Sequence, residues 1–358
     1  MKFSNPLLAK LIAAGITCAV SLSAQAGLLS KMFETKASTP VVLSTDAKAA
    51  ELVTVVNGDK VAGKSKYALV GFTVEFQIQA KDYDSQFGST VSSNTSMKME
   101  GISQADMQAI TDKVFDDFQK KMAAQGITLV KPSDLSASPA WQNIAGMSKG
   151  QTYEMSAEKD KVLLMAPTGY SVIVTHPDEE TKRLRWGLSG LKAMSSGTLP
   201  QAEIALAKEL GYPVMKAYYV VRFGTTKAVA INKSSQAKAQ VSGLILGDEQ
   251  SGLSIRTEND NPLPDPFGTG NAKQDGDSFV RLKTSITTDR SILAGDVYEL
   301  GGSNKALGTA LTILTGAGSF QHDFVAPLDP KLYSEFCTEN LGAVSAMLAT
   351  QLKAASGK

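Results

Sequence analysis

The chain of 358 residues carries 36 Lys and Arg against 35 Asp and Glu, and 43% of it is hydrophobic. That balance describes a globular protein with length enough for a substantial core and for two domains. It excludes disordered and collagen-like classes and gives no electrostatic case for a nucleic-acid partner.

The amino terminus has the layout of a cleaved secretory signal. Lys2 and Lys10 form a charged region, Leu11 to Ser23 is apolar, and Ala24-Gln25-Ala26 is a small-x-small site before Gly27. The apolar run is shorter than the roughly 20 residues that a spanning helix needs. Cleavage after Ala26 predicts a mature chain of 332 residues with 34 basic and 35 acidic side chains. Cys18 leaves with the signal, and Cys337, then the only thiol, has no partner for an internal disulfide. The expected location is the periplasm of a Gram-negative bacterium, or its outer membrane.

Residues 27–50 read as a flexible leader. From Ala68, apolar residues alternate through Val70, Phe72, Val74, Phe76, Ile78 and Ala80 with Thr73, Glu75, Gln77 and Gln79 between them. The pattern predicts a strand with one apolar face and one polar face, the latter open to solvent or to a partner. Residues 81–100 show no periodicity and read as an exposed loop. Ser103 and Asp106 are spaced to cap a helix carrying Met107, Ile110, Val114, Phe118 and Met122, which Gly126 ends. Ile127 to Val130 resume as a strand, and Val162 to Val174 read as a strand or hairpin around Pro167-Thr168-Gly169.

Downstream, Thr198 and Pro200 open a short helix ended by Gly211, and Val214 to Ile231 is extended. Strands are expected at Gln240 to Leu246, Leu253 to Thr257, Phe279 to Thr287 and Ile292 to Leu300, with a loop or boundary at Asn259 to Gly276. Asp329 and Pro330 begin a last helix whose buried stripe includes Phe336, Leu341, Val344, Leu348 and Leu352. The fold class expected is α+β, with mixed sheets and helices packed on one face. Its division is a signal at 1–26, a leader at 27–50, one αβ domain at 51–175 and a second at 176–358.

The segments KYALVGFTVEF (66–76), FDDFQKKMAAQGITLV (115–130) and KELGYPVMKAYYVVRF (208–223) together resemble bacterial envelope proteins of the curli-secretion (CsgG) and TolB amino-terminal-domain kind. The resemblance covers about residues 66–231 and implies a periplasmic αβ interaction domain. A channel function is not carried over, because no lipidated Cys follows the signal and Val130-Lys131-Pro132 replaces the usual Val-Glu-Arg.

Two catalytic-looking patterns occur. Gly58 to Ser65 matches the phosphate-loop spelling with Lys64, but that chemistry needs a helix after the Lys, and a strand follows; Asn57-Gly58 reads better as a hairpin turn. Gly146-Met147-Ser148-Lys149-Gly150 matches a nucleophile elbow, which would need His322 and an acid such as Asp296, on a strand and helix that the flanks do not supply. His176 and His322 are the only histidines and lack ligand spacing for zinc. Asp260, Asp265, Asp275 and Asp277 lack the spacing of a calcium loop, and the adjacent pairs Asp116/Asp117 and Glu179/Glu180 do not converge. No catalytic, cofactor or metal residue is assigned.

The expected function is that of a non-catalytic binding or assembly component of the envelope, whose partner is another envelope protein or a second copy. Its contact surfaces are expected at the polar face of 66–80 or in the uncharged segment Ala306 to Phe320, which reads first as a buried strand or helix of the carboxy-terminal domain and otherwise as a surface contact or a strand touching a membrane. The alternatives are a serine hydrolase using Ser148 and His322 and a nucleotide-binding protein using Lys64.

Overall fold

The structure, a computed structural model, describes residues 41–43, 49–85, 91–157, 159–173, 199–231, 234–241, 244–246, 251–260, 278–288, 290–301 and 318–357. The signal, nearly all of the leader, His176, Glu179, Glu180, Asp265, Asp275, Asp277 and most of Ala306 to Phe320 lie outside these residues.

In chain order the strands are β1 (Val41–Val42), β2 (Val53–Val56), β3 (Lys66–Ser85), β4 (Val91–Glu100), β5 (Thr128–Val130), β6 (Thr152–Ala157), β7 (Asp160–Met165), β8 (Val214–Val221), β9 (Thr225–Ile231) and β10 (Ser234–Gln240). They continue with β11 (Ile245–Leu246), β12 (Gly252–Arg256), β13 (Ser278–Leu282), β14 (Ile286–Thr287), β15 (Tyr298–Glu299) and β16 (Gly318–Pro327). Among the described residues the helices of seven residues or more are α1 (Gln104–Ala124), α2 (Pro139–Ala145), α3 (Leu199–Leu210) and α4 (Pro330–Ser356).

One open sheet of 11 strands holds the fold in the order β15-β16-β4-β3-β8-β12-β13-β2, with β5 and β7 also on β3 and β6 on β7. Both parallel pairs (β3 with β8, β16 with β4) and antiparallel pairs occur, so the class is α+β. Pro40–Lys358 forms one compact unit. The two expected αβ stretches contribute neighbouring strands, β3 and β8, to the same sheet.

The capping box predicted at Ser103 is present: its hydroxyl accepts from the Asp106 amide, and Asp106 accepts from the Ser103 amide. Met107, Ile110, Val114, Phe118 and Met122 are all buried, and Gly126 takes the left-handed φ of 71° that ends the helix. Asp329 likewise caps α4 through the Lys331 and Leu332 amides. Helices α1 and α4 share the main core with Phe72, Val74 and Phe76 of β3, where Phe72 meets Phe115 edge-on at 5.0 Å between centroids.

Four expectations are corrected. The register of β3 against β8 slips between Leu69 and Gly71, so Ala68 and Val70 join α2 and α3 in a separate cluster while Phe72 joins the main core. A bulge of this kind breaks the period of two, and the apolar residues from Ala68 to Ala80 therefore serve two faces. Thr73, Glu75, Gln77 and Gln79 are buried, and the polar groups of Glu75 and Gln77 meet Tyr218, Asp160 and the Phe223 and Gly224 amides inside the fold. Residues 81–100 are no solvent loop: β3 runs on to Ser85, and β4 pairs with both β3 and β16. Finally, Asn57 and Gly58 lead into a 3₁₀ turn over Gly58–Val61, because β2 pairs with β13 and not with β3.

Candidate functional site: a polar groove and a strand edge

Several polar residues inside the fold are matched to one another. The Tyr218 hydroxyl donates to Glu75, and burial together with that carboxylate pushes the phenol pKa well up. Gln77 accepts from the Phe223 and Gly224 amides and donates to Asp160, which also takes the Lys81 amide. On α3, Glu203 is fully buried and sits 2.8 Å from both Lys216 of β8 and Arg256 of β12, tying the helix to the sheet. A buried carboxylate survives in such a place only with cations beside it.

Beyond this interior, the far end of β3 emerges into a groove of about 700 Å³ floored by β3, β4 and β16. Cross-strand register places Gln79 opposite Lys98, Lys81 opposite Ser96 and Tyr83 opposite Asn94, while β16 sets Asp323 beside Ser96 and Gln321 beside Asn94. These residues therefore share one face. Asp323 accepts from the Ser96 hydroxyl at 2.7 Å and from the Gln321 amide at 2.9 Å. Lys159, at the β6–β7 turn, closes on Asp82 at 2.6 Å. Burial works to raise the Asp82 pKa, yet the bonds from Lys159 and the Ala228 amide outweigh it and hold the carboxyl below its ordinary 3.8. Tyr83 stands 54% exposed.

The groove is bordered by β15, which pairs with β16 alone among the described residues. Tyr298 is 45% exposed and Leu300 47%. The Glu100 carboxylate takes the Tyr298 hydroxyl at 3.0 Å and so raises its pKa.

The motif residues lie apart. Ser148 follows α2 in a loop, where its hydroxyl accepts from its own Gly150 amide at 3.2 Å. His322 lies in the middle of β16 with Nδ1 2.9 Å from Glu299. Lys64 occupies the turn between the 3₁₀ segment and β3, so no helix follows it. Asp260 is buried and paired with Lys60 at 2.8 Å, and Asp116 and Asp117 sit side by side on α1. Cys337 is buried in α4, and burial pushes its thiol pKa up. Among the described residues no group of three or more His, Cys, Asp or Glu is placed to hold a metal, and no helix is long and apolar enough to cross a membrane.

Sequence reasoning missed Lys81, Tyr83, Lys98 and Asp323. The available signal was the alternation of Ser93, Thr95 and Met97 inward with Asn94, Ser96 and Lys98 between them, which small polar residues hide from a hydrophobicity reading. Compared with known proteins, the chain matches no family model, no curated relative and no solved structure.

Proposed function

We propose that the protein is an exported, non-catalytic binding or assembly component of the cell envelope, released into the periplasm by cleavage after Ala26. Its partner is another envelope protein or a second copy of the chain, met through the β15 edge. The observation that carries this reading is that Tyr298 in β15 and Leu300 just after it, at the end of the strand order, expose large apolar surface. Exposed apolar side chains at the end of a sheet offer contact to an incoming chain. The hydrolase and nucleotide readings have no comparable support, since Ser148 and His322 hold separate local partners and Lys64 precedes a strand.

The test compares Tyr298→Lys combined with Leu300→Lys against Ser148→Ala by chemical crosslinking in the source cells, with thermal midpoints measured on the purified chains. The edge variant should lose the crosslinked species about tenfold at an unchanged midpoint, as hot-spot substitutions do. Ser148→Ala should retain it. Full crosslinking by the edge variant, or its loss in Ser148→Ala, would contradict the reading.

A further inference from the structure

The groove floored by β3, β4 and β16 differs in chemistry from the apolar edge beside it. Its volume of about 700 Å³ falls in the range of about 300–1,000 Å³ usual for ligand sites. Beside Tyr83, Leu300 and Phe324 its lining is rich in polar groups: three amides (Gln79, Asn94, Gln321), two hydroxyls, three ammonium groups and two carboxylates.

The charges are not equivalent. Asp82 is neutralised by Lys159 at 2.6 Å. Asp323 is anchored by two donors from the protein, and a carboxylate with about four lone-pair directions keeps acceptor capacity for a third. Lys81 and Lys98 lie diagonally across the β3–β4 pair on the groove face, and neither forms an ion pair among the described residues. Like charges so placed repel, and a bound anion relieves the repulsion. Tyr83 adds a flat, half-exposed ring with a polar tip, the shape on which a sugar's C–H face rests while its hydroxyls reach amides on either side.

We propose that this groove binds an acidic polysaccharide chain, with a carboxylate or other anion of the sugar between Lys81 and Lys98, a sugar ring on Tyr83 and a sugar hydroxyl donating to Asp323. A polymer suits it better than a single sugar because the floor crosses three strands without an enclosing wall in the residues that form it. A saccharide suits it better than an acidic peptide because paired amides and a carboxylate acceptor match hydroxyl-rich ligands and the flat Tyr83 ring matches a sugar face. This site is distinct from the protein contact at β15 and stands or falls separately.

The experiment is calorimetric titration of the purified mature chain with an oligogalacturonate, a neutral glucan oligomer of equal length, poly-glutamate of equal charge and vesicles containing lipopolysaccharide. Saturable binding of the oligogalacturonate is expected, weaker at high salt and at least about tenfold weaker in Lys81→Glu combined with Lys98→Glu. Tyr83→Ala should weaken it with thermal stability unchanged, and Lys161→Glu, on the neighbouring strand, should leave it intact. No binding of the oligogalacturonate, equal binding of the neutral oligomer, tighter binding of poly-glutamate, binding of the vesicles alone, or insensitivity to the lysine substitutions would each overturn the proposal. None of these outcomes bears on crosslinking at β15, so the two claims fail independently.

Discussion

Glu203 has no solvent exposure and holds Lys216 and Arg256 at 2.8 Å each, which makes it the most consequential charge in the described interior. Glu203→Gln withdraws the carboxylate from two cations that are themselves largely buried. The expected loss is about 3–5 kcal/mol, read as a fall in the urea midpoint. Asp82 acts differently, because it links the β9–β10 hairpin to β3 through the Ala228 amide and reaches the β6–β7 turn through Lys159. Its folded pKa lies below the unfolded value, so its contribution is complete above the unfolded pKa and disappears as the pH falls through the folded one. Amide exchange at Ala228 should therefore accelerate only below the ordinary carboxyl value of 3.8. In Asp82→Asn that acceleration should be absent, and exchange should be faster than in the parent chain at neutral pH.

Among the elements, the turn from β4 into α1 has no room for a side chain. Gly101 adopts φ of 92°, and a Cβ there would stand 2.5 Å from the Leu328 carbonyl oxygen, while the Leu328 amide bonds to Glu100 at 2.9 Å. Gly101→Ala should cost about 1–3 kcal/mol, seen as a lower urea midpoint with an unchanged slope. The helix on the far side of that turn was fully legible in the sequence, because its cap, stripe and terminal glycine are local signals. The strand on the near side was not. Ser93 and Thr95 are buried in β4, which pairs with β16, more than 200 residues away, and packs against β9 and β10, and no local pattern announces a small polar residue as a core residue. The same holds for Glu75 and Gln77 in β3, whose polar character pointed outward while Tyr218 and the Phe223 amide met them inside.

At the scale of the whole molecule, the order of strands decides which surfaces remain for a partner. The polar residues Thr73 to Gln79 belong to the interior, and the exposed Tyr83, Tyr298 and Leu300 stand instead at the groove and at β15. That relocation depends on β16, from near the end of the chain, lying parallel against β4, which was expected to be a loop. The α+β class was readable from alternating strand and helix patterns; the groove was not, because Lys81, Lys98 and Asp323 come together only through that pairing. The most direct test places a photo-crosslinkable residue at Tyr298 in one chain and at Gln77 in another, each expressed in the source cells at native level. Crosslinks to a partner or to a second copy should form from position 298 and not from position 77. Crosslinking from position 77, or none from position 298, would contradict the account.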